Sequence, residues 1–204
     1  MTYMELRDKV SGMPLFSWQV LKMFGGGSQE LKNQLSRWKQ SGKLLALRRG
    51  LYILNEKDRK LSPSRLFIAS EMYKPSYVSL EYALSFYGII PERAASLTCI
   101  TTKKTEVFEN SFGTFSYRHL KPECFTGFTA KKDEGGLTYL FAEPEKAVVD
   151  FIYLNLSKLK GDGVEVLRES YRFNLSVRLS RAKLLMLAKL FNNERLLEIV
   201  KGVK

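Results

Sequence analysis

Residues 44–54 read Leu-Leu-Ala-Leu-Arg-Arg-Gly-Leu-Tyr-Ile-Leu, two short apolar runs around an Arg-Arg-Gly turn, and this pattern predicts a β-hairpin. What precedes it narrows the fold further. Thr2 and Glu5 have the Thr-x-x-Glu spacing of a capping box, so a first helix starts near Thr2 and stops at Ser11-Gly12, with Pro14 just beyond. A second begins after Ser17, carries Trp18, Val20, Leu21 and Phe24, and stops at a turn over Gly25-Gly26-Gly27. Ser28 caps a third, in which Leu31, Leu35 and Trp38 fall at i, i+4 and i+7 and share one face. Three helices followed by a hairpin predict a winged helix-turn-helix over residues 1–55.

The other face of the third helix holds Gln29, Asn33, Ser36 and Gln40, flanked by Lys32 and Arg37. These are hydrogen-bonding groups able to reach base edges and cations able to hold phosphates. In a winged helix the third helix enters the major groove and the hairpin tip approaches the backbone or minor groove. The predicted DNA-binding set is therefore Ser28, Gln29, Lys32, Asn33, Ser36, Arg37, Gln40, Lys43, Arg48 and Arg49.

Charge agrees with a polyanionic partner. The 204 residues hold 33 Lys and Arg against 21 Asp and Glu, a net +12, and half of that excess lies in residues 1–55. No apolar run approaches the roughly 20 residues of a membrane span, and the opening residues lack the pattern of a secretory signal. The expected location is the cytoplasm, with no membrane partner.

Asn55 to Ser62 is polar and charged, and residues 56–62 are expected to link the winged helix to a second domain over 63–204. In that domain Ser62-Pro63 opens a helix ended by Pro75, and Ser79 caps another closed by Gly88. Strands are expected at 97–102, 107–108, 114–119, 125–129 and 137–141, close enough together to favour an antiparallel sheet. Pro144 starts an apolar helix, and three amphipathic helices follow at 164–172, 181–191 and 194–201, the middle one capped by Ser180. The fold class is α+β, with a helical C-terminal part. Arg178, Arg181 and Lys183 there offer a secondary DNA surface.

Catalytic chemistry has few candidates. Cys99 and Cys124 are the only cysteines and His119 the only histidine, which excludes a disulfide framework and a four-ligand zinc site of Cys and His. There is no Gly-Lys-Ser/Thr phosphate loop and no Gly-x-Ser-x-Gly elbow. Cys124 with His119, and an acidic cluster of Glu143, Glu145 and Asp150 with Lys146, are the two enzymatic alternatives; the first reads better as an isolated histidine and a buried thiol, the second as a helix N-terminus. No catalytic residue, cofactor or metal is expected.

The segments Tyr77-Val78-Ser79-Leu80-Glu81-Tyr82-Ala83-Leu84-Ser85-Phe86-Tyr87-Gly88-Ile89-Ile90-Pro91-Glu92, Thr98 to Thr102, Phe115 to Leu120 and Ala142-Glu143-Pro144-Glu145-Lys146-Ala147-Val148-Val149-Asp150, with the Arg49-Gly50-Leu51-Tyr52 hairpin, resemble the pattern of AbiEi-type antitoxins of bacterial abortive-infection toxin-antitoxin operons. The resemblance spans residues 1–155. It implies a winged helix that binds inverted repeats in its own promoter and represses the operon, and a second domain that counteracts a nucleotidyltransferase-like toxin. In that family the neutralisation is of type IV, without a stable toxin complex, and serves phage defence. The alternatives are a stand-alone winged-helix regulator and an antitoxin that binds its toxin directly.

Overall fold

A computed structural model describes residues 1–24, 28–174 and 176–203. The capping box at the N-terminus forms: Thr2 Oγ1 accepts from the Glu5 N–H at 3.3 Å, and Glu5 Oε2 accepts from the Thr2 N–H at 3.1 Å. From it run α1 (Tyr3–Val10), β1 (Phe16–Ser17), α2 (Trp18–Phe24), α3 (Ser28–Gln40), β2 (Leu44–Arg48) and β3 (Leu51–Leu54). The turn expected at Gly25-Gly26-Gly27 and the capping side chain of Ser28 lie outside the described residues. Two-residue β1 has no periodicity to announce it; it exists through pairing, with Phe16 opposite Tyr52 and Ser17 opposite Leu51 in an antiparallel sheet of order β1-β3-β2. Leu31, Leu35 and Trp38 all point inward, joining Leu6, Val10, Phe16 and Leu21 in a first core.

The hairpin serves two cores. Side chains alternate across a strand, and in β3 Leu51 and Ile53 enter the larger core of the chain while Leu54 enters the first, with Tyr52 packed against it. In β2, Leu44 belongs to the first core and Leu47 to the second. The segment after the hairpin is tied down on the same side: Asp58 Oδ2 accepts from the Tyr3 hydroxyl at 2.6 Å, and the Lys60 N–H donates to the Ser11 carbonyl.

The larger part contains α4 (Arg65–Met72), β4 (Ser76–Val78), α5 (Leu80–Phe86), β5 (Leu97–Thr101), β6 (Glu106–Asn110), β7 (Gly113–His119), β8 (Phe128–Lys132), β9 (Thr138–Ala142), α6 (Pro144–Leu154), α7 (Gly163–Glu169), α8 (Arg181–Lys189) and α9 (Glu194–Gly202). Its sheet is mixed, where the sequence suggested an antiparallel one. The order is β6-β7-β5-β4-β9-β8, with β5/β7 and β4/β9 parallel. Two features cause this. The three-residue β4, directly after Pro75, inserts between β5 and β9, and the β6–β7 hairpin brings β7 back beside β5 in the same direction.

Other boundaries differ for local reasons. Ser64, not Ser62, caps α4, its Oγ accepting from the Phe67 N–H at 3.1 Å, so Pro63 precedes the helix. A 3-10 turn over Pro122–Cys124 delays β8 to Phe128. The helix expected to reach Arg172 stops at Glu169, and Arg172 takes a left-handed φ of 50°. Among the described residues no helix is long and apolar enough to cross a membrane.

Candidate nucleic-acid interface

Burying Leu31, Leu35 and Trp38 turns the rest of α3 outward, so Gln29, Lys32, Asn33, Ser36, Arg37 and Gln40 are all exposed. At 3.6 residues per turn, Gln29, Asn33, Ser36 and Gln40 form the centre of that face, with Lys32 and Lys39 on one flank and Arg37 on the other. The Lys flank faces the hairpin. Between them is a cleft of about 590 Å3 lined by Lys32, Leu35 and Lys39 from α3, Ser17 of β1, Trp18 and Gln19 at the start of α2, and Arg48, Arg49, Gly50 and Tyr52 of the hairpin. Four of these residues are cationic and none is acidic.

The hairpin tip is held rigidly. Gly50 takes φ +80°, a conformation that suits glycine, and its carbonyl accepts from the Trp18 N–H at 2.8 Å, fixing the tip against α2. Arg48 and Arg49, equivalent in the sequence, differ in the structure. Arg49 is exposed, whereas Arg48 is half-buried, donating through Nε to the carbonyl of Met72 at the end of α4 and through Nη1 to the Arg49 carbonyl at 3.0 Å. Asn110 Nδ2 donates to the Leu47 carbonyl at 3.0 Å, a second tie between hairpin and sheet.

Of the predicted residues, Lys32, Arg48 and Arg49 line this cleft; Gln29, Asn33, Ser36 and Gln40 lie beside it on the outward face of α3, and Lys43 and Arg37 stand apart. Lys43 immediately precedes β2, at the end away from Arg48, with its ammonium 4.7 Å from the Tyr3 ring centroid. Arg37 is on the flank of α3 away from the hairpin. In the proposed secondary surface, Lys183 pairs with Glu143 at 2.7 Å and Glu145 at 3.8 Å, while Arg178 and Arg181 are exposed. Lys39, absent from the predicted set, lines the cleft; its signal was its position seven residues after Lys32, on the same flank.

The residues of the two enzymatic alternatives are engaged as follows. His119 Nδ1 is 2.9 Å from the Lys103 carbonyl, whereas Cys124 Sγ faces the Leu190 carbonyl at 3.5 Å, and burial raises the thiol pKa. Asp150 and Lys146 are fully buried and paired at 2.6 Å. Asp150 Oδ2 accepts from the Tyr77 and Ser79 hydroxyls, both at 2.9 Å, and Lys146 Nζ donates to the Cys124 carbonyl at 2.7 Å. Burial pushes the Asp150 pKa up, opposed by Lys146 and the two hydroxyls. Glu145 accepts from the Ser180 N–H, and Glu143 is held by Lys183. The carboxylates are thus spent on internal partners, and the Tyr77-Val78-Ser79 and Glu143-to-Asp150 segments meet in the core.

Ser79 departs from its expected role. Its hydroxyl goes to Asp150, and the first turn of α5 is capped from a neighbouring strand: Thr98 Oγ1 accepts from the Tyr82 N–H at 3.0 Å and donates to the Ser79 carbonyl at 2.7 Å. Leu80, held between these contacts, has a left-handed φ of 57°, a strained conformation for a non-glycine residue.

Comparison with known protein families and with curated proteins gives no match for this chain.

Proposed function

We propose that residues 1–55 are a winged helix that binds double-stranded DNA, and that the protein is an antitoxin of AbiEi type that represses its own operon. The single observation that carries the DNA half is the cleft between α3 and the hairpin, where Lys32, Lys39, Arg48 and Arg49 converge without a carboxylate. A duplex whose major groove receives α3 would meet Gln29, Asn33, Ser36 and Gln40 at its base edges and the cations at its phosphates. The antitoxin half rests on the sequence resemblance, which implies inverted repeats in the protein's own promoter as the operator and a nucleotidyltransferase-like toxin as the functional partner, opposed without a stable complex in the cytoplasm.

The experiment is binding to a labelled duplex from the protein's own upstream region and to a scrambled duplex, at two salt concentrations. Tight, selective binding that weakens with salt supports the repressor. Equal, weak binding to both duplexes removes it. Rescue of cells expressing an adjacent toxin gene tests the antitoxin half separately.

A further inference from the structure

Phe86 is the most exposed aromatic ring among the large exposed hydrophobic residues, 58% accessible at the end of α5. It is one wall of an aromatic enclosure. Its ring centroid is 4.9 Å from that of Phe141 and 5.2 Å from that of Tyr87, and Tyr87 and Phe141 meet edge to face at 5.8 Å. The ammonium of Lys131 sits against all three, 4.7 Å from Phe86, 5.4 Å from Tyr87 and 4.6 Å from Phe141.

Two walls are fixed. Phe141 is fully buried on β9, and the Tyr87 hydroxyl donates to the Ala142 carbonyl at 2.8 Å. The third wall, Phe86, borders solvent, so the enclosure is preformed and open on one side. Lys131 enters it from β8, the edge strand of the six-stranded sheet, and makes no ion pair with a carboxylate among the described residues. Glu143 and Glu145, close enough to Tyr87 to raise its pKa after burial has done so, are instead engaged by Lys183.

A cation held by ring faces alone is the arrangement by which proteins recognise ammonium groups, quaternary and methylated ones above all. A primary ammonium is strongly hydrated and its lysine stem flexible, so Lys131 can leave the rings for water more readily than a less hydrated cation can. We propose that Phe86, Tyr87 and Phe141 form a binding site for a methylated or quaternary ammonium group on a ligand, which Lys131 fills when that ligand is absent. The site lies on the sheet and α5, outside the hairpin cleft, and does not depend on the DNA-binding reading.

The test is titration of the full chain with tetramethylammonium chloride, followed through the aromatic resonances of Phe86 and Tyr87, with sodium chloride at equal ionic strength as control. Lys131→Ala and Lys131→Gln, each emptying the cage, are expected to bind the probe at least tenfold tighter than the unaltered chain, and adding Phe86→Ala to Lys131→Ala is expected to abolish binding. If the folded Lys131 variants respond to tetramethylammonium as they do to sodium, there is no ammonium site. If neither variant folds, the unaltered chain decides: Phe86 and Tyr87 shifts specific to tetramethylammonium support the site, and their absence overturns it.

Discussion

Arg48 and Arg49 carry the same charge one residue apart, yet only Arg49 is free to meet a phosphate without giving something up. Replacing Arg49 with alanine is expected to weaken binding to all duplexes and leave the melting temperature unchanged. Replacing Arg48 is expected to weaken binding and also lower the melting temperature, because the Met72 carbonyl loses its donor and the hairpin one of its ties. Fluorescence anisotropy and thermal unfolding of the two variants separate these outcomes. The Lys146–Asp150 pair makes the second residue-scale case. Removing one partner strands a buried charge, so Lys146→Met and Asp150→Asn should each destabilise by about 3–5 kcal/mol, with the double variant costing clearly less than their sum. Urea denaturation of the three variants measures this.

At the scale of the element, the proposed DNA-binding role divides α3 into a base-reading face and phosphate-attracting flanks. Gln29 Nε2 donates to Asn33 Oδ1 at 3.3 Å in the free protein, so both side chains are already aligned on the outward face. Gln29→Ala or Asn33→Ala should reduce the preference for operator over scrambled duplex by about 1–3 kcal/mol while changing non-specific binding little. Equal losses on both duplexes would mean that this face does not read bases. The helix was readable in the sequence because Leu31, Leu35 and Trp38 repeat at helical spacing over thirteen residues. β1 and β4 were not, since two or three residues cannot display a period, and without β4 the parallel pairing with β9 had no visible cause. In the candidate site, the α3 face and the Arg-Arg tip follow from local pattern. The Arg48 contact with Met72 spans 24 residues and the Ser79 contact with Asp150 spans 71, so both depend on how elements pack.

For the whole molecule, four cations converging on one cleft set an expected salt response. If Lys32, Lys39, Arg48 and Arg49 each neutralise one phosphate, the log-log slope of affinity against salt should be about −3.6, and Arg49→Ala should reduce its magnitude by about 0.9. Stability should respond to alkali. Burial pushes the Tyr87 pKa up to about 12, with Glu143 and Glu145 adding to it, and raises those of Tyr77 and Tyr117 as well. Above pH 10 the unfolded chain loses tyrosine protons that the folded chain keeps, so stability falls as pH rises from there through 12. Absorbance at 295 nm should then show Tyr77 and Tyr117, both fully buried, ionising only as the fold is lost, while the half-buried Tyr87 follows near pH 12; early ionisation of the buried two would contradict their burial. The hairpin, finally, makes the chain a poor candidate for modular exchange. A fragment ending at residue 62 would present Leu47, Leu51 and Ile53 to water, and a chimera joining residues 1–62 to an unrelated partner would carry that apolar face with nothing to cover it. The two parts are therefore expected to be inherited together, with the hairpin residues that face the sheet changing in step with the residues they touch.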